Sequence, residues 1–235
     1  VLSRFRAADL DVGFKENGSP VTDADRDAER ILRRSLGRRF PAISVLGDEE
    51  GLDRRSDSPL LWVVDPIDGT LGYSRGVPLF GTVVALRDTV ANRSLLGVIH
   101  LPALGETYAG ARGLGTFGNG VRLTLADGPL PGTPELGEDQ ADVAQILLAA
   151  GDPAQFRLAA CGDAYSRLAQ SPLFRGYAGC FGHAMVLRGG VGVVVDPHVQ
   201  AWHTAASEVL VEEAGGAFFS RPSIDDDRTD VILGR

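Results

Sequence analysis

The sequence predicts a layered α/β fold. Strand-like and helix-like segments alternate in both halves of the chain. Short apolar runs such as residues 60–64 and 190–196 are typical of buried strands, and residues 201–216 are typical of a helix that two glycines end. Because alternating strands and helices pack as layers, this order favours an α/β fold over an all-β fold or a helical bundle.

The first strong element is an amphipathic helix from Asp23 to Leu36. Its apolar side chains recur every three or four residues, at Ala24, Ala28, Ile31, Leu32 and Leu36. Thr22 followed three residues later by Asp25 predicts a capping box, so the helix is expected to begin there. Asp25 could serve only as the cap, or it could also act as a base, and both roles stay open at this point.

Short apolar segments after this helix predict a series of strands. They lie at residues 43–46, 60–64, 81–86, 95–100 and 106–110. Asn119-Gly120 predicts the turn of a β-hairpin within residues 119–125. The first two strands each close on acidic residues, so both are expected to deliver carboxylates to one edge of the sheet.

Residues 126–140 are rich in proline, glycine and aspartate, and they predict a joint between two halves of the chain. The halves are residues 1–125 and 126–235, which could also count as one domain. Residues 142–150 fit a strand or a short helix equally well, and residues 155–170 predict a helix.

Composition and charge limit the partners of the protein. Its 235 residues include 31 acidic and 23 basic side chains, a net charge of −8, which argues against nucleic acid or an anionic membrane as a partner. Two cysteines are too few for a disulfide framework and fit a reducing cytoplasm. No apolar run approaches the roughly 20 residues that span a bilayer. We therefore expect a cytoplasmic protein.

The stretch WVVDPIDGT, residues 62–70, places Asp65 and Asp68 directly after an apolar run. In a straight strand these two side chains would point to opposite faces. Because Pro66 fixes φ and cannot donate to a sheet ladder, we expect the strand to leave the sheet there, and this bend could bring Asp68 to the side of Asp65. Two close carboxylates repel unless a cation lies between them, and oxygen ligands suit Mg²⁺.

An ordinary turn is the alternative interpretation of this stretch, since aspartate and glycine are common turn formers. Residues 46–51, LGDEEG, favour a site instead, because three consecutive acids follow a second buried strand. That is more acidic residues than a turn needs.

Taken together, the motifs resemble the inositol monophosphatase-like, metal-dependent phosphatases, and most of all their bacterial histidinol-phosphatase branch. The resemblance covers nearly the whole chain. The matching segments, in chain order, are Lys15 to Asp25, LGDEEG, WVVDPIDGT, RGVPLFGTVVAL, GVIHLPALGETYAG, RGLGTFGNG and VVVDPHVQAWHTAASEVLVEEAGG. The resemblance implies an αβαβα sandwich, the sugar phosphatase fold, which is usually dimeric. It also implies that the metal cluster lies in the N-terminal half and that substrate-side residues lie in the C-terminal half.

The resemblance also implies a metal site of two or three Mg²⁺ ions. The implied ligands are the side chains of Asp65 and Asp68, the backbone carbonyl of Ile67, and either Asp48 or Glu49. Gapless alignment on the family motif favours Asp48, whereas side-chain identity favours Glu49, and both stay open.

The implied reaction is hydrolysis of a small phosphate monoester by a metal-activated water. Thr70 and Asp25 would orient and deprotonate this water, and the backbone amides of Gly69 and Thr70 would hold phosphate oxygens. Asp196 would contact a hydroxyl or amine group of the substrate. Histidinol phosphate, inositol phosphate and related sugar phosphates are the implied substrates.

Some positions depart from the family pattern. The family has Trp-Asp where this chain has Trp202-His203, and histidine suits Zn²⁺ or Mn²⁺ better than Mg²⁺. His203 could be an altered metal ligand, an adaptation to another substrate, or a sign of lost activity. The last interpretation leaves a catalytically weak relative that binds a sugar phosphate or a partner protein. Gly179 and Gly192 also replace polar residues on the substrate side.

The remaining histidines and one glycine motif carry less functional meaning. His100, His183 and His198 are each interpreted as structural or surface residues. GLGTFG, residues 113–118, satisfies the G-x-G-x-x-G dinucleotide pattern, but a hairpin signal follows it where that pattern needs a helix. We therefore expect no nucleotide binding at this segment.

Overall fold

The structure of the protein is a computed structural model that describes residues 1–7, 9–15, 18–125, 147–224 and 228–235. After a short 3₁₀ helix at Leu2–Arg4, the helices are α1 (Asp23–Arg39), α2 (Thr70–Ser74), α3 (Pro153–Leu158), α4 (Gly162–Leu168), α5 (Gly179–Leu187) and α6 (Ala201–Glu213). The strands are β1 (Val12–Phe14), β2 (Pro20–Thr22), β3 (Ser44–Gly47), β4 (Gly51–Asp53), β5 (Leu60–Asp68), β6 (Gly81–Asp88), β7 (Arg93–Leu101), β8 (Glu106–Ala111), β9 (Gly115–Gly118), β10 (Val121–Leu123), β11 (Leu148–Ala150), β12 (Phe174–Arg175), β13 (Val193–Val199), β14 (Ala217–Pro222) and β15 (Thr229–Gly234).

The strands form two large sheets and one small hairpin. The first sheet has eight strands in the order β10-β9-β8-β7-β6-β5-β3-β4, and the second has five in the order β12-β11-β13-β15-β14. Both sheets are mixed: β3 is parallel to β5, and β11 is parallel to β12 and β13, while β15 is antiparallel to its neighbours. Strands β1 and β2 pair separately.

The main core lies between the two sheets, where α5 and α6 each contact strands of both. Helix α6 packs most extensively on β7, and Gly97 of that strand permits the close approach. A Cβ atom at Gly97 would lie 2.9 Å from the Cα atom of Ala206 in α6, closer than real contacts allow. The position therefore accepts only glycine without moving the helix.

The outer helices complete the layers. Helix α1 covers the other face of the eight-stranded sheet, where Leu32 and Leu36 pack against Val45, Trp62 and Val64. Helix α3 packs on β13, and its Phe156 lies with Val195 in a groove away from the main core. The resulting order of helix, sheet, helix pair, sheet and helix confirms the layered α/β fold.

Several predicted elements are confirmed. Helix α1 begins where the capping box predicted, because Thr22 and Asp25 make the reciprocal hydrogen bonds, but it continues to Arg39 instead of ending at Leu36. The Asn119-Gly120 turn joins β9 to β10, and both residues have the positive φ that this hairpin turn requires. The GLGTFG segment is thus followed by a hairpin strand, not by a helix.

Other predictions are wrong, for local reasons. Pro66 does not end its strand: β5 continues to Asp68, because a bulge in its pairing with β6 between Asp65 and Asp68 accommodates the proline. The helix predicted over residues 155–170 is two short helices, separated at Ala160, whose φ is positive. The predicted joint at 126–140 lies outside the described residues, and the division into halves at residue 125 stays a prediction.

No helix in the described part of the chain is both long and apolar enough to cross a membrane.

The close contact between α6 and β7 generates a stability prediction. Replacing Gly97 by valine should lower the free energy of unfolding by about 1–3 kcal/mol, because the added side chain overpacks the helix–sheet interface. Denaturant unfolding followed by circular dichroism measures the change. The control is Gly176→Val, since a Cβ at Gly176 would meet no atom within 4 Å. Equal destabilisation by both substitutions would contradict the packing argument.

Candidate functional site

A cavity of about 240 Å³ lies at the end of β5, beside the first turns of α2 and α6. It collects most of the predicted site residues although they are distant in sequence. The lining residues are Ser19, Pro20, Asp48, Asp65, Ile67, Asp68, Gly69, Thr70, Leu71, Gln200, Trp202, His203 and Arg228. Strands β3 and β5 therefore deliver carboxylates to one place, as the sequence predicted.

Asp65 is the most deeply buried acid of the cavity, at 1% exposure. Its Oδ1 atom accepts a hydrogen bond from the amide of Ile67 at 3.1 Å, within the bulge of β5. Among the described residues, its Oδ2 atom has no hydrogen-bond partner. Burial raises the pKa of Asp65 well above its ordinary value, and the nearby Asp68, Asp48 and Asp25 raise it further.

Asp68 lies at the same end of β5 but is held by α5. Its carboxylate accepts a hydrogen bond from the amide of Cys180 in the first turn of that helix, where the helix dipole favours negative charge. Gly179 has a φ of 58°, and a Cβ atom there would lie 2.8 Å from both carboxylate oxygens. A side chain at position 179 would therefore have to displace the Asp68 carboxylate, and the interpretation of Gly179 as a replacement on the substrate side stays a prediction.

The loop between β3 and β4 carries Asp48 and Glu49, and both form ion pairs with Lys15, at 2.8 and 2.9 Å. Asp48 lines the cavity, whereas Glu49 does not. Desolvation raises the pKa of Glu49 to about 7, against the opposing effect of Lys15. Of the two alternatives at this position, the structure therefore places Asp48 in the cavity.

Asp25 and Thr70 form a hydrogen-bonded pair at the edge of the cavity. The Thr70 hydroxyl lies 2.9 Å from Asp25 Oδ1 and equally far from the carbonyl oxygen of Ile67, so its single proton is donated to one of the two. The other oxygen of Asp25 accepts from the amide and hydroxyl of Thr22 in the capping box. Capping is therefore not the only contact of Asp25.

Burial also affects the ionisation of this pair. Desolvation raises the pKa of Asp25 above its ordinary value, although the hydrogen bonds from Thr22 and Thr70 and the charge of Lys15 oppose the shift. A carboxylate with a raised pKa is a stronger proton acceptor than an exposed one.

Gly69 begins α2 with a φ of 92°, a left-handed conformation that favours glycine. A Cβ atom there would also lie 3.0 Å from the carbonyl oxygen of Leu79. The strand can therefore turn directly into the helix, which brings both Gly69 and Thr70 to the cavity wall.

His203 comes from the first turn of α6, and its Nε2 atom lies 3.5 Å from Asp65 Oδ2. Ligand atoms of Asp48, Asp65 and His203 all lie within 4.8 Å of one another. Two carboxylates and an imidazole at this spacing can hold a divalent cation, and the buried, unpartnered oxygen of Asp65 is the atom that such an ion would satisfy. Asp68 lines the same cavity but is outside this group of three.

Asp196, predicted to contact substrate, does not line the cavity. It is buried at 1% exposure, where it accepts from the amide of Gly179 at 3.1 Å and pairs with His183 Nε2 at 2.9 Å. His183 also contacts the hydroxyl of Ser207. The expected substrate role of Asp196 is therefore replaced by an internal one, because α5 covers it.

The histidines outside the cavity have structural contacts, as interpreted from the sequence. His183 is fully buried in the network of Asp196, and Nδ1 of His100 lies 2.8 Å from the hydroxyl of Thr107. His198 is also buried, and its amide donates to Asp230.

Sequence reasoning missed two basic residues of the site. Lys15 appeared only as the first residue of a motif, yet it neutralises the loop acids. Arg228 lines the cavity and donates to the carbonyl oxygen of His198. No sequence signal identifies Arg228, because its neighbours in the cavity come from distant parts of the chain.

The layered α/β fold thus brings a carboxylate cluster and an Asp–Thr pair together at the end of a buried strand. The model of the inositol monophosphatase family matches residues 1–222. The chain therefore belongs to the inositol monophosphatase family, and it is a phosphoric monoester hydrolase.

Individual relatives agree with this membership. The chain is 35% identical over 229 residues to a histidinol-phosphatase of Chlorobaculum parvum, a match that covers 93% of this chain and 79% of the relative. It is 32% identical over 212 residues to an inositol-1-monophosphatase of Mesorhizobium japonicum, covering 88% and 74%. The crystal structure of the extragenic suppressor protein SuhB from Bartonella henselae has the same fold, with a TM-score of 0.78, 24% identity and coverage of 97% and 84%.

The raised pKa values generate a prediction about proton linkage. A divalent cation binds deprotonated carboxylates, whereas burial and the neighbouring acids raise the pKa of Asp65, a possible ligand, well above its ordinary value. Binding of Mg²⁺ to the metal-free protein should therefore release protons, and the apparent affinity should increase as the pH rises.

Isothermal titration calorimetry in two buffers with different protonation enthalpies measures this release. The control is Asp57→Asn, which removes a fully exposed acid and should leave the release unchanged. Identical heats in both buffers would show that the cluster is already deprotonated.

Proposed function

We propose that this protein hydrolyses a small phosphate monoester in a reaction that depends on divalent cations, and that histidinol phosphate is the first substrate to test. The observation that carries the proposal is the Asp25–Thr70 pair at the edge of a cavity that also holds Asp48 and Asp65. The family of the chain and the name of its 35% identical relative support the choice of substrate.

The residues that would hold cations follow from the cavity. Asp48, Asp65 and His203 would share one ion, and Asp68 with the carbonyl oxygen of Ile67 would contribute to the others. We propose Mg²⁺, as two or three ions, with Mn²⁺ or Zn²⁺ as alternatives beside His203. Bound cations would act as Lewis acids on the phosphate and lower the pKa of a water.

The chain itself would supply the proton acceptor. The Thr70 hydroxyl donates to Asp25, which leaves its oxygen free to accept a hydrogen bond from a water in the cavity. A proton could then pass from water through Thr70 to Asp25, whose pKa is raised by burial. The capping box keeps the Asp25 carboxylate in one orientation.

The same cavity wall would bind the phosphate. The backbone amides of Gly69 and Thr70 at the start of α2 would face phosphate oxygens, and the guanidinium of Arg228 brings positive charge to the lining. The surrounding acids favour a substrate that also carries a hydroxyl or an amine. These features suit a small polyol or amino-alcohol phosphate, so inositol phosphates and related sugar phosphates belong in the same test.

A weak or repurposed family member is the second candidate, because the family pattern that the chain resembles has an acid at the position of His203, whose Nε2 atom lies 3.5 Å from Asp65 Oδ2. Such a protein would bind a sugar phosphate or a protein partner and turn over slowly. A cytoplasmic location and a homodimer stay predictions from composition and family resemblance.

The role of Asp25 is tested by Asp25→Asn in a phosphate-release assay with histidinol phosphate and Mg²⁺. We expect kcat to fall by about 100-fold or more, because the variant lacks the proton acceptor. Asp27→Asn, on an exposed position of α1, is the matched control and should keep full activity. Wild-type turnover in a folded Asp25→Asn protein would remove Asp25 from the mechanism.

His203→Asp tests the choice of cation. The substitution restores a negative charge next to Asp65, so activity should shift towards Mg²⁺ relative to Mn²⁺ and Zn²⁺. The same phosphate-release assay, run with each cation over the panel of monoesters, measures the shift. An inert wild type together with an active His203→Asp variant would favour the weak-relative function.

A further inference from the structure

A buried ion pair on α1 lies beneath the loop that carries Asp48. Glu29 is fully buried and Arg33 is 7% exposed, and their side chains approach to 2.7 Å one helical turn apart. Taking two charges out of water costs several kcal/mol per ion before their attraction is counted. A pair in this position therefore needs more contacts than the attraction between its two members.

Glu29 finds those contacts in the loop between β3 and β4. Its Oε2 atom accepts from the amide of Glu49 at 2.8 Å, and its Oε1 atom accepts from the amide of Glu50 at 3.0 Å. The two oxygens of one carboxylate thus bind two consecutive backbone groups directly after Asp48. The position of the Asp48 side chain depends on the same stretch of backbone.

Arg33 holds both strands on either side of this loop. Its Nη1 atom donates to the carbonyl oxygen of Val45 in β3 at 3.2 Å, and its Nη2 atom donates to that of Gly51 in β4 at 2.5 Å. The ion pair therefore contacts the hairpin before, within and after the loop.

The end of β3 is shaped to admit the Glu29 carboxylate. A Cβ atom at Gly47 would lie inside contact distance of both carboxylate oxygens of Glu29. Gly47 does not have a positive φ, so close packing, and not backbone conformation, accounts for glycine there.

Helix α1 also carries Asp25, one turn before Glu29. Asp25 reaches Thr70 after β5, while Glu29 reaches the loop after β3. One rigid helix thus sets the distance between the proton-accepting pair and the loop of Asp48.

We propose that Glu29, paired with Arg33, is a positioning residue for the cation site: it holds the backbone of residues 48–50 so that Asp48 faces Asp65. The inference rests on the proposed function in one respect, the role of Asp48 as a cation ligand. A residue that orients a ligand from behind typically changes metal affinity by about 10- to 100-fold when it is replaced.

Glu29→Gln tests the inference, because glutamine keeps the shape but loses the charge and one of the two acceptors. The dissociation constant of Mg²⁺, measured by titration calorimetry on the folded protein, should rise by about tenfold or more. Hydrogen exchange measured by mass spectrometry should become faster at the amides of residues 49 and 50. At saturating Mg²⁺, kcat of the variant should return towards the wild-type value, although its affinity for Mg²⁺ stays lower.

Glu208→Gln is the matched control for a purely structural effect. Glu208 is also a shielded carboxylate between two arginines, Arg87 and Arg112, and it also accepts a backbone amide, that of Ser94. It does not line the cavity. Its replacement should lower thermal stability and leave the Mg²⁺ affinity unchanged.

Gly47→Ala provides a second variant in case Glu29→Gln does not fold. The added methyl group displaces the Glu29 carboxylate without removing its charge, and it should also weaken Mg²⁺ binding and speed exchange in the loop. Wild-type affinity in the folded variants, with stability lowered as in Glu208→Gln, would overturn the inference alone. A wild type that binds no Mg²⁺ would overturn both the inference and the proposed function.

Discussion

Electrostatic repulsion among the carboxylates around one small cavity is the constraint on which the rest of this structure depends. Asp25, Asp48, Asp65 and Asp68 lie close enough that three of them raise the pKa of Asp65. A fold can keep such a cluster only if each charge has its own compensation. The elements around the cavity are arranged to supply it: an N-cap for Asp25, Lys15 for Asp48, and the first turn of α5 for Asp68.

Asp65 is the exception, because one oxygen of its carboxylate has no such compensating group among the described residues. Its Oδ2 atom is buried, and its near neighbour is an imidazole rather than a fixed cation or an amide. The negative charge that remains uncompensated therefore lies on Asp65, which forms the group of possible metal ligands with Asp48 and His203. A divalent cation placed there would relieve the repulsion and use the same carboxylates as ligands.

Local chemistry in the sequence was enough to predict the parts of the site that depend on neighbours along the chain. The capping box at Thr22 and Asp25 and the pair of acids around Pro66 belong to this class. The layered fold was predictable too, because it follows from the alternation of elements. Pro66 was misread because a bulge lets a strand continue past a residue that cannot donate. Asp196 was misread because its burial under α5 depends on contacts between distant segments, and the same is true of Arg228.

The hydrogen bond from the amide of Cys180 in α5 to Asp68 joins a late segment of the chain to an early one. Strand β5 brings the acids, but the amide donor for Asp68 and the imidazole beside Asp65 come from helices that follow residue 147. The cluster is therefore complete only after the second sheet has docked on the first. All four acids precede β11, so a nascent chain that has emerged only as far as β10 would hold every acid of the cluster but neither the amide of Cys180 nor the imidazole of His203.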